Sequence, residues 1–408
     1  MGRRLPRFLH ARPGGDLTMN ALRLALLAIV SIALSGSDAW AAKLQVGTCT
    51  TQKTLLFTTV QAAINAAGAT GGDTVAVCPG TYPEQITISK PLTLSGLNAN
   101  NSSAPVITTP PGGLVAALGF GSLAAHVAVI NRTTVNISNL GVDSAGNNVP
   151  CGNSSGNIFV MGIVYGSASS GTVKNVATRN QYSGTPPNTC GFGIGIGILD
   201  GSSVTVQNSM IESIDYGGIY ASGTGTIARI LNNMIMGPGV GHGSTNLISF
   251  YDGSTGYMTG NRLIDLNSSP VNNSPIGSCG IAVQRPAGSV EISNNTIGNT
   301  QCGIALYAAN NTSITGNQIF GSSVSDGIYL CGNTNIVTGN TIASSAVAGV
   351  EIDPSCFGLT ANNNTVQNNV INHTCAGILV DPSTTGHTLD GNSIFNATYN
   401  QLVGLSCP

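Results

Sequence analysis

Gly327-Ile328-Tyr329-Leu330, followed by Asn340-Thr341-Ile342, is the unit whose reading decides the fold. It recurs as Gly280-Ile281 with Asn295-Thr296-Ile297, and as Gly303-Ile304 with Asn317-Gln318-Ile319. Further on come Gly349-Val350 with Asn369-Val370-Ile371, and Gly377-Ile378 with Asn392-Ser393-Ile394. In chain order the glycines lie 23, 24, 22 and 28 residues apart. A period in the low twenties marks a solenoid. In a solenoid a functional site lies on an outer face, because each repeat touches only its neighbours.

The repeat is built of Ile, Val and Thr, which suit a pleated, half-buried surface, and it lacks the apolar stripe of a helical repeat. Positions one and three after each Gly face one way, and position two faces the other. Stacked coils then place Ile281, Ile304, Ile328, Val350 and Ile378 in one interior column. Ile297, Ile319, Ile342, Ile371 and Ile394 form a second, and the Asn two residues before each forms a ladder of amides at a turn. Less regular words begin at Asn139, Asn175, Asn208, Asn233 and Asn261, with spacings that imply inserted loops. The expectation is an all-β, parallel β-helix of about ten coils, roughly 50 Å long at the usual strand spacing.

At the N-terminal end, Thr59–Gly68 reads as a short amphipathic helix. Val60, Ala63, Ile64 and Ala67 form its apolar face, Thr58 or Thr59 caps its start, and Gly68 ends it. The strand Thr74–Val77 and a Pro79-Gly80 turn follow, so the helix plugs the open end of the solenoid within a cap spanning about residues 44–80.

The stretch Val60-Gln61-Ala62-Ala63-Ile64, Gly72-Asp73-Thr74-Val75, Pro79-Gly80-Thr81-Tyr82 and Pro91-Leu92-Thr93-Leu94-Ser95-Gly96 resembles the opening of secreted right-handed parallel β-helix proteins of the pectin-lyase-like superfamily. The later Gly-Ile and Asn-x-Ile words are similar to the repeats of the same proteins. The resemblance spans roughly residues 55–405 and implies the right-handed hand of the helix. It also implies carbohydrate chemistry, because the group holds lyases, hydrolases, esterases and epimerases of acidic polysaccharides. It equally holds tailspikes and members without known chemistry, and fold does not choose among them.

Only 7% of the 408 residues are charged, against about a quarter in ordinary domains. Residues 1–41 read as an export leader. Arg23 precedes the apolar run Leu24–Leu34, and Ala39-Trp40-Ala41 offers a cleavage site. The run is too short to span a bilayer. Residues 42–408 then form one β-helix domain, secreted or periplasmic, carrying nine Lys/Arg against fourteen Asp/Glu. A net charge of −5 gives no footprint for nucleic acid or an anionic membrane. A polysaccharide or cell-surface glycan is the expected partner of a monomer.

Ten cysteines, all after the leader, argue for disulfides in an exported chain. Cys279 and Cys302 both directly precede Gly-Ile and would stack on adjacent coils within bridging distance. Cys151 and Cys190 lead into Gly-Ile strands, and Cys49 and Cys78 sit at the cap. Cys331 with Cys356, and Cys375 with Cys407, remain. No C-x-x-C pair supports zinc.

In lyases and hydrolases of the superfamily the site lies on the outer face of one sheet, which here is positions two and four after each repeat Gly. Along the stack these positions offer Gln284 beside Arg285, then Tyr307, Tyr329, Glu351, Asp353 and Asp381. Asp353 and Asp381 recur in the same words, Asp-Pro-Ser. Stacked carboxylates repel, so one holds a proton or a Ca²⁺ ion sits between them. Asp353, Asp381 and Glu351 are therefore the candidate catalytic acids, with Asp353 and Asp381 also the candidate Ca²⁺ ligands. Tyr307, Tyr329, Gln284 and Arg285 are the candidate sugar contacts. The competing reading makes Asp-Pro-Ser an ordinary strand-ending turn. A second candidate is Gly241-His242-Gly243 with Asp215 and Asp252, which resembles one motif of polygalacturonases while their other motifs are missing. Two functions stay open. One is a protein that cleaves, epimerises or binds an acidic polysaccharide, as a lyase, glycoside hydrolase or epimerase if it is an enzyme. The other is a non-catalytic surface β-helix used for adhesion or as a spacer.

Overall fold

The computed structural model describes residues 41–49, 55–97, 104–117, 122–151, 158–185, 188–189, 192–237, 246–266, 278–404 and 407. Within them the chain winds through three long parallel sheets of 13, 12 and 12 strands. One coil shows the pattern. Val290–Ser293 lies in the first sheet, Thr296–Thr300 in the second and Cys302–Tyr307 in the third, before Ser313–Thr315 re-enters the first. The small antiparallel pair Gly184–Thr185 and Asn188–Thr189 stands apart. The architecture is a right-handed parallel β-helix of 12–13 coils, more than the ten expected. The extra coils lie in residues 43–129, whose strands such as Leu92–Gly96 and Leu123–Val129 carry no Gly-Ile word.

Both interior columns form in the expected register. Ile281, Ile304, Ile328, Val350 and Ile378 are consecutive partners in the third sheet. Ile297, Ile319, Ile342, Ile371 and Ile394 are partners in the second. All are buried except the last, Ile394, which is half-buried on the terminal coil. The Gly of the repeat is required where the two sheets meet. A Cβ on Gly303 would lie 2.3 Å from the Gly327 carbonyl oxygen and 2.5 Å from Ile319 Cγ2. The two halves of the repeating word are thus packed on each other, which is why they recur together.

The turn between the first and second sheets holds the ladder. Asn233, Asn261, Asn295, Asn317, Asn340, Asn369 and Asn392 each bond to the next, amide nitrogen to amide oxygen, at 2.9–3.0 Å. Upstream the Asn words sit one position off this register. Asn139, Asn175 and Asn208 take the left-handed turn position, with φ 57°, 54° and 51°. Leu140, Val176 and Ser209 occupy the ladder position instead.

The cap helix spans Val60–Ala66, with Thr59 as N-cap accepting from the Ala62 amide at 3.2 Å. The Glu84 carboxylate accepts from the Val60 and Gln61 amides at 2.7 and 2.9 Å, placing an anion at the positive end of the helix. Val60, Ala63 and Ile64 are buried, as the plug requires. The stop differs from expectation. Ala67 turns extended, and the Gly68 amide is held by Asp73 Oδ2 at 2.6 Å rather than in a left-handed cap. Disulfides join Cys49–Cys78, Cys279–Cys302, Cys331–Cys356 and Cys375–Cys407. Cys279 and Cys302 have Cα atoms 4.5 Å apart, the spacing of stacked coils. Cys151 is disulfide-bonded as well, and its expected partner Cys190 lies outside the described residues, as does the leader. Among the described residues no helix is long and apolar enough to cross a membrane.

Candidate functional site

The outer face of the third sheet changes character along its length. Upstream it is apolar and covered: Leu123, Ala128, Met161, Val164 and Ile194 are buried there, with Phe159, Tyr216 and Tyr220 packed against them. Phe159, Tyr216, Tyr220 and Tyr251 meet edge to face, with centroids 5.3–6.0 Å apart. Downstream the face becomes polar. Ala305, Tyr329, Glu351 and Leu379 form one outward column, and Tyr251, Gln284, Tyr307 and Cys331 form the next.

Glu351, Asp353 and Asp381 come together as expected. They line a shallow groove of about 370 Å³ with Ser355, Leu379, Val380, Pro382 and Gly404. Beneath Glu351 lies an acid that the sequence reading missed. Asp326 stands at the place before the repeat Gly that Cys302 holds one coil earlier, and it is 1% exposed. Its Oδ1 accepts from the Ala348 amide at 2.9 Å, and its Oδ2 accepts from the Ser325 hydroxyl at 2.9 Å. Asp326 is also hydrogen-bonded to Glu351. A hydrogen bond between two carboxyl groups needs one proton. Burial pushes Asp326 up as well, so the two acids share that proton as a coupled pair. Burial first, then the charge of Asp326 and its hydrogen bond, then Asp353 and Asp381, push Glu351 up to about 9. The pair therefore favours keeping one proton.

The other candidates divide. Asp353 Oδ2 accepts from the Tyr329 hydroxyl at 3.2 Å, and its Oδ1 accepts from the Ser355 amide at 2.8 Å. Asp381 Oδ1 accepts from the Ser383 amide at 2.8 Å and from the Ser383 hydroxyl at 2.5 Å. Both Asp-Pro-Ser words are thus strand-ending turns, and Asp353 and Asp381 also line the groove. Oδ1 of each carboxylate is held by a turn amide, and among the described residues no group of three acidic, His or Cys side chains is placed to hold a metal.

Tyr329 is 4% exposed, so its ring offers no face to a sugar, and its role is to hold Asp353. It packs under the Cys331–Cys356 bridge with Tyr307, ring centroids 5.7 Å apart. Tyr307 is half-buried, and burial pushes its hydroxyl up to about 12. Gln284 is the register partner of Tyr307. Arg285 turns away from the groove. Its guanidinium bonds Asp252 Oδ1 at 3.0 and 2.5 Å, and it lies 5.2 Å from the Phe357 ring centre. Asp252 is engaged there, Asp215 is fully buried, and Gly241-His242-Gly243 lies outside the described residues. One signal for Asp326 was present in the sequence. It is an acid directly before a repeat Gly, where neighbouring coils carry Cys279, Cys302, Ala348 and Ala376.

With this geometry in hand, comparison with known proteins is informative for fold. The model of the right-handed β-helix region matches residues 240–394. A double mutant of the periplasmic alginate epimerase AlgG superposes with TM-score 0.50 at 12% identity, covering 81% of this chain and 76% of that one. The A-module of a mannuronan C-5 epimerase from Azotobacter vinelandii gives 0.48 at 20% identity, covering 83% and 94%. The catalytic unit of an α-1,3-glucanase from Streptomyces thermodiastaticus gives 0.47 at 16%, covering 91% and 71%. No curated protein matches the chain in sequence. At 12% identity the AlgG likeness speaks for fold alone. The turn ladder, the three parallel sheets and the matched repeats agree: the chain is a right-handed parallel β-helix protein.

Proposed function

We propose that this is a carbohydrate-active β-helix protein of the periplasm or cell exterior, with residues 1–41 as its leader and residues 42–408 as its single domain. A polysaccharide lies across the outer face of the third sheet in the groove of Glu351, Asp353 and Asp381. The observation that carries this reading is the pairing of Glu351 with the buried Asp326 beside Asp353 and Asp381 in an open groove, an arrangement that favours a retained proton. A carboxylic acid that keeps its proton at neutral pH is the equipment of a general acid. Asp353, fixed by Tyr329 and Ser355, is the carboxylate partner of the pair. Two acids with separate environments suit glycosidic cleavage, and a proton donor beside a base suits removal and return of a proton on a uronate ring. The disulfides support an oxidising compartment.

The test is a screen of the purified protein on pectate, alginate, polygalacturonate and neutral glucans, followed by reducing ends and the ultraviolet absorbance of unsaturated products. Turnover on one of them, abolished in Glu351→Gln with the fold intact, supports the reading. A second reading, a non-catalytic glycan-binding or spacer protein, is favoured by the turn-capping roles of Asp353 and Asp381. Binding of a polysaccharide without turnover would select it. Ca²⁺ is expected to leave the melting temperature of wild type and of Asp353→Asn/Asp381→Asn alike, and a shift confined to wild type would restore the metal.

A further inference from the structure

The first sheet carries a separate constellation on its outer face, on the opposite side of a turn from the carboxyl groove. Arg229, Tyr257 and Glu291 occupy one register position on three consecutive coils. Thr205 precedes them in the column and Ser313 follows. A cation, an aromatic ring and an anion in consecutive places stand out in a chain with 7% charged residues. Together they line a groove of about 460 Å³. Its floor is kept bare by Gly256. At φ +136° a Cβ there would lie 1.9 Å from the Ala228 carbonyl oxygen, so no side chain fits beside the Tyr257 ring.

The charges are not spent on each other. Arg229 reaches the other way and donates from Nη1 to Ser203 Oγ at 3.2 Å, and Glu291 Oε1 accepts from Ser293 Oγ at 2.9 Å. Among the described residues the ion pairs are Arg179–Asp143 and Arg285–Asp252, so the guanidinium of Arg229 forms none. Tyr257 stands between them, half-buried, with its ring bounding the groove.

We infer that this groove is a second glycan-binding site that takes a uronate-bearing oligosaccharide along the helix axis, with a sugar carboxylate at Arg229, a ring face on Tyr257 and hydroxyl groups at Glu291 and Ser313. A planar guanidinium matches a carboxylate by two parallel hydrogen bonds. An aromatic ring gives an apolar platform to the C–H face of a sugar, and a carboxylate with neighbouring hydroxyls accepts and donates to the rest. The site holds its ligand without an acid–base pair, so its work is retention of a chain. It is independent of the carboxyl groove.

Calorimetric titration of the full chain with tetragalacturonate and with cellotetraose, in wild type, Tyr257→Ala, Arg229→Gln and Glu351→Gln, decides it. Tyr257→Ala is expected to weaken tetragalacturonate about tenfold, the scale of one lost aromatic contact. Arg229→Gln is expected to weaken tetragalacturonate and leave cellotetraose unchanged, while Glu351→Gln keeps this binding event. Melting temperature and circular dichroism confirm that each variant is folded, and Tyr257→Phe, which keeps the ring, is expected to bind as wild type. Equal affinities in wild type, Tyr257→Ala and Arg229→Gln would overturn the site. Equal loss for both sugars in Arg229→Gln would overturn the uronate assignment. Loss only in Glu351→Gln would place all binding in the other groove and overturn this one.

Discussion

From Asn233 to Asn369 every described turn between the first and second sheets buries an amide that bonds to the next coil, whereas at Leu140 and Val176 the same place is filled by an apolar side chain. Ser209 marks the change, accepting the Val176 amide and donating its own to Asn233. The same division appears on the third sheet, where an upstream apolar outer face gives way to carboxyl groups downstream. One backbone path is therefore held by two chemistries. Downstream coils are specified by directional bonds at the turn, which fix the residue there as Asn. Upstream coils are specified by burial, which accepts many sequences and long inserted loops.

The comparison can be broken most forcefully at the interior column, where both halves should be equally intolerant. Ile328→Asp places an unpaired carboxylate between Ile304 and Val350 and is expected to cost several kcal/mol or prevent folding. Wild-type expression and melting would show that the column does not face inward. At the ladder the halves should part. Asn317→Leu strips bonds from Asn295, Ile292 and Asn340 and is expected to cost about 2–4 kcal/mol. Val176→Ala removes only packing and is expected to cost about 1–2 kcal/mol. Denaturant melts that rank the two variants the other way would contradict the two-chemistry account.

A smaller effect separates the halves by pH. Upstream, His126 is fully buried between Thr109 and Ser144, and burial lowers it to about 4. A folded pKa below the unfolded one means that its contribution is present above about 6.5 and is lost as pH falls toward about 4. Downstream, Glu351 is raised from 4.5 to about 9, so its contribution is complete at acid pH and lost as pH rises toward about 9. Melting against pH should therefore lose its acid limb in His126→Asn and its alkaline limb in Glu351→Gln. Unchanged limbs would show that these groups do not titrate as their burial implies. The smallest expected effect is at the cap, where Thr59→Ala removes the bond to the Ala62 amide and should cost about 1 kcal/mol.

What could be read from the chain follows the same division. The Gly-Ile and Asn-x-Ile words were legible because Gly303 and Ile319 touch, so neither can vary alone. Their outward neighbours Glu351, Asp353 and Asp381 followed from strand alternation. The extra coils within residues 43–129 were not legible, because apolar packing of residues such as Leu94 and Val127 leaves no fixed word. Asp326 was missed for a geometric reason. Position one and the Gly itself both turn inward, so the residue before the Gly faces out against strict alternation, as its bond to Glu351 and the outward cluster of Cys279 and Cys302 attest. Tyr329 was misread as a sugar platform because periodicity gives the direction of a side chain but not what the next loop lays over it.

The four bridges with both cysteines among the described residues span 29, 23, 25 and 32 residues, and each joins neighbouring coils. None waits for a distant part of the chain. As the polypeptide emerges N-terminus first, each cysteine meets its partner as soon as one more turn has been laid down. Oxidation can then act as a ratchet that follows winding, coil after coil, with small loops to close at every step.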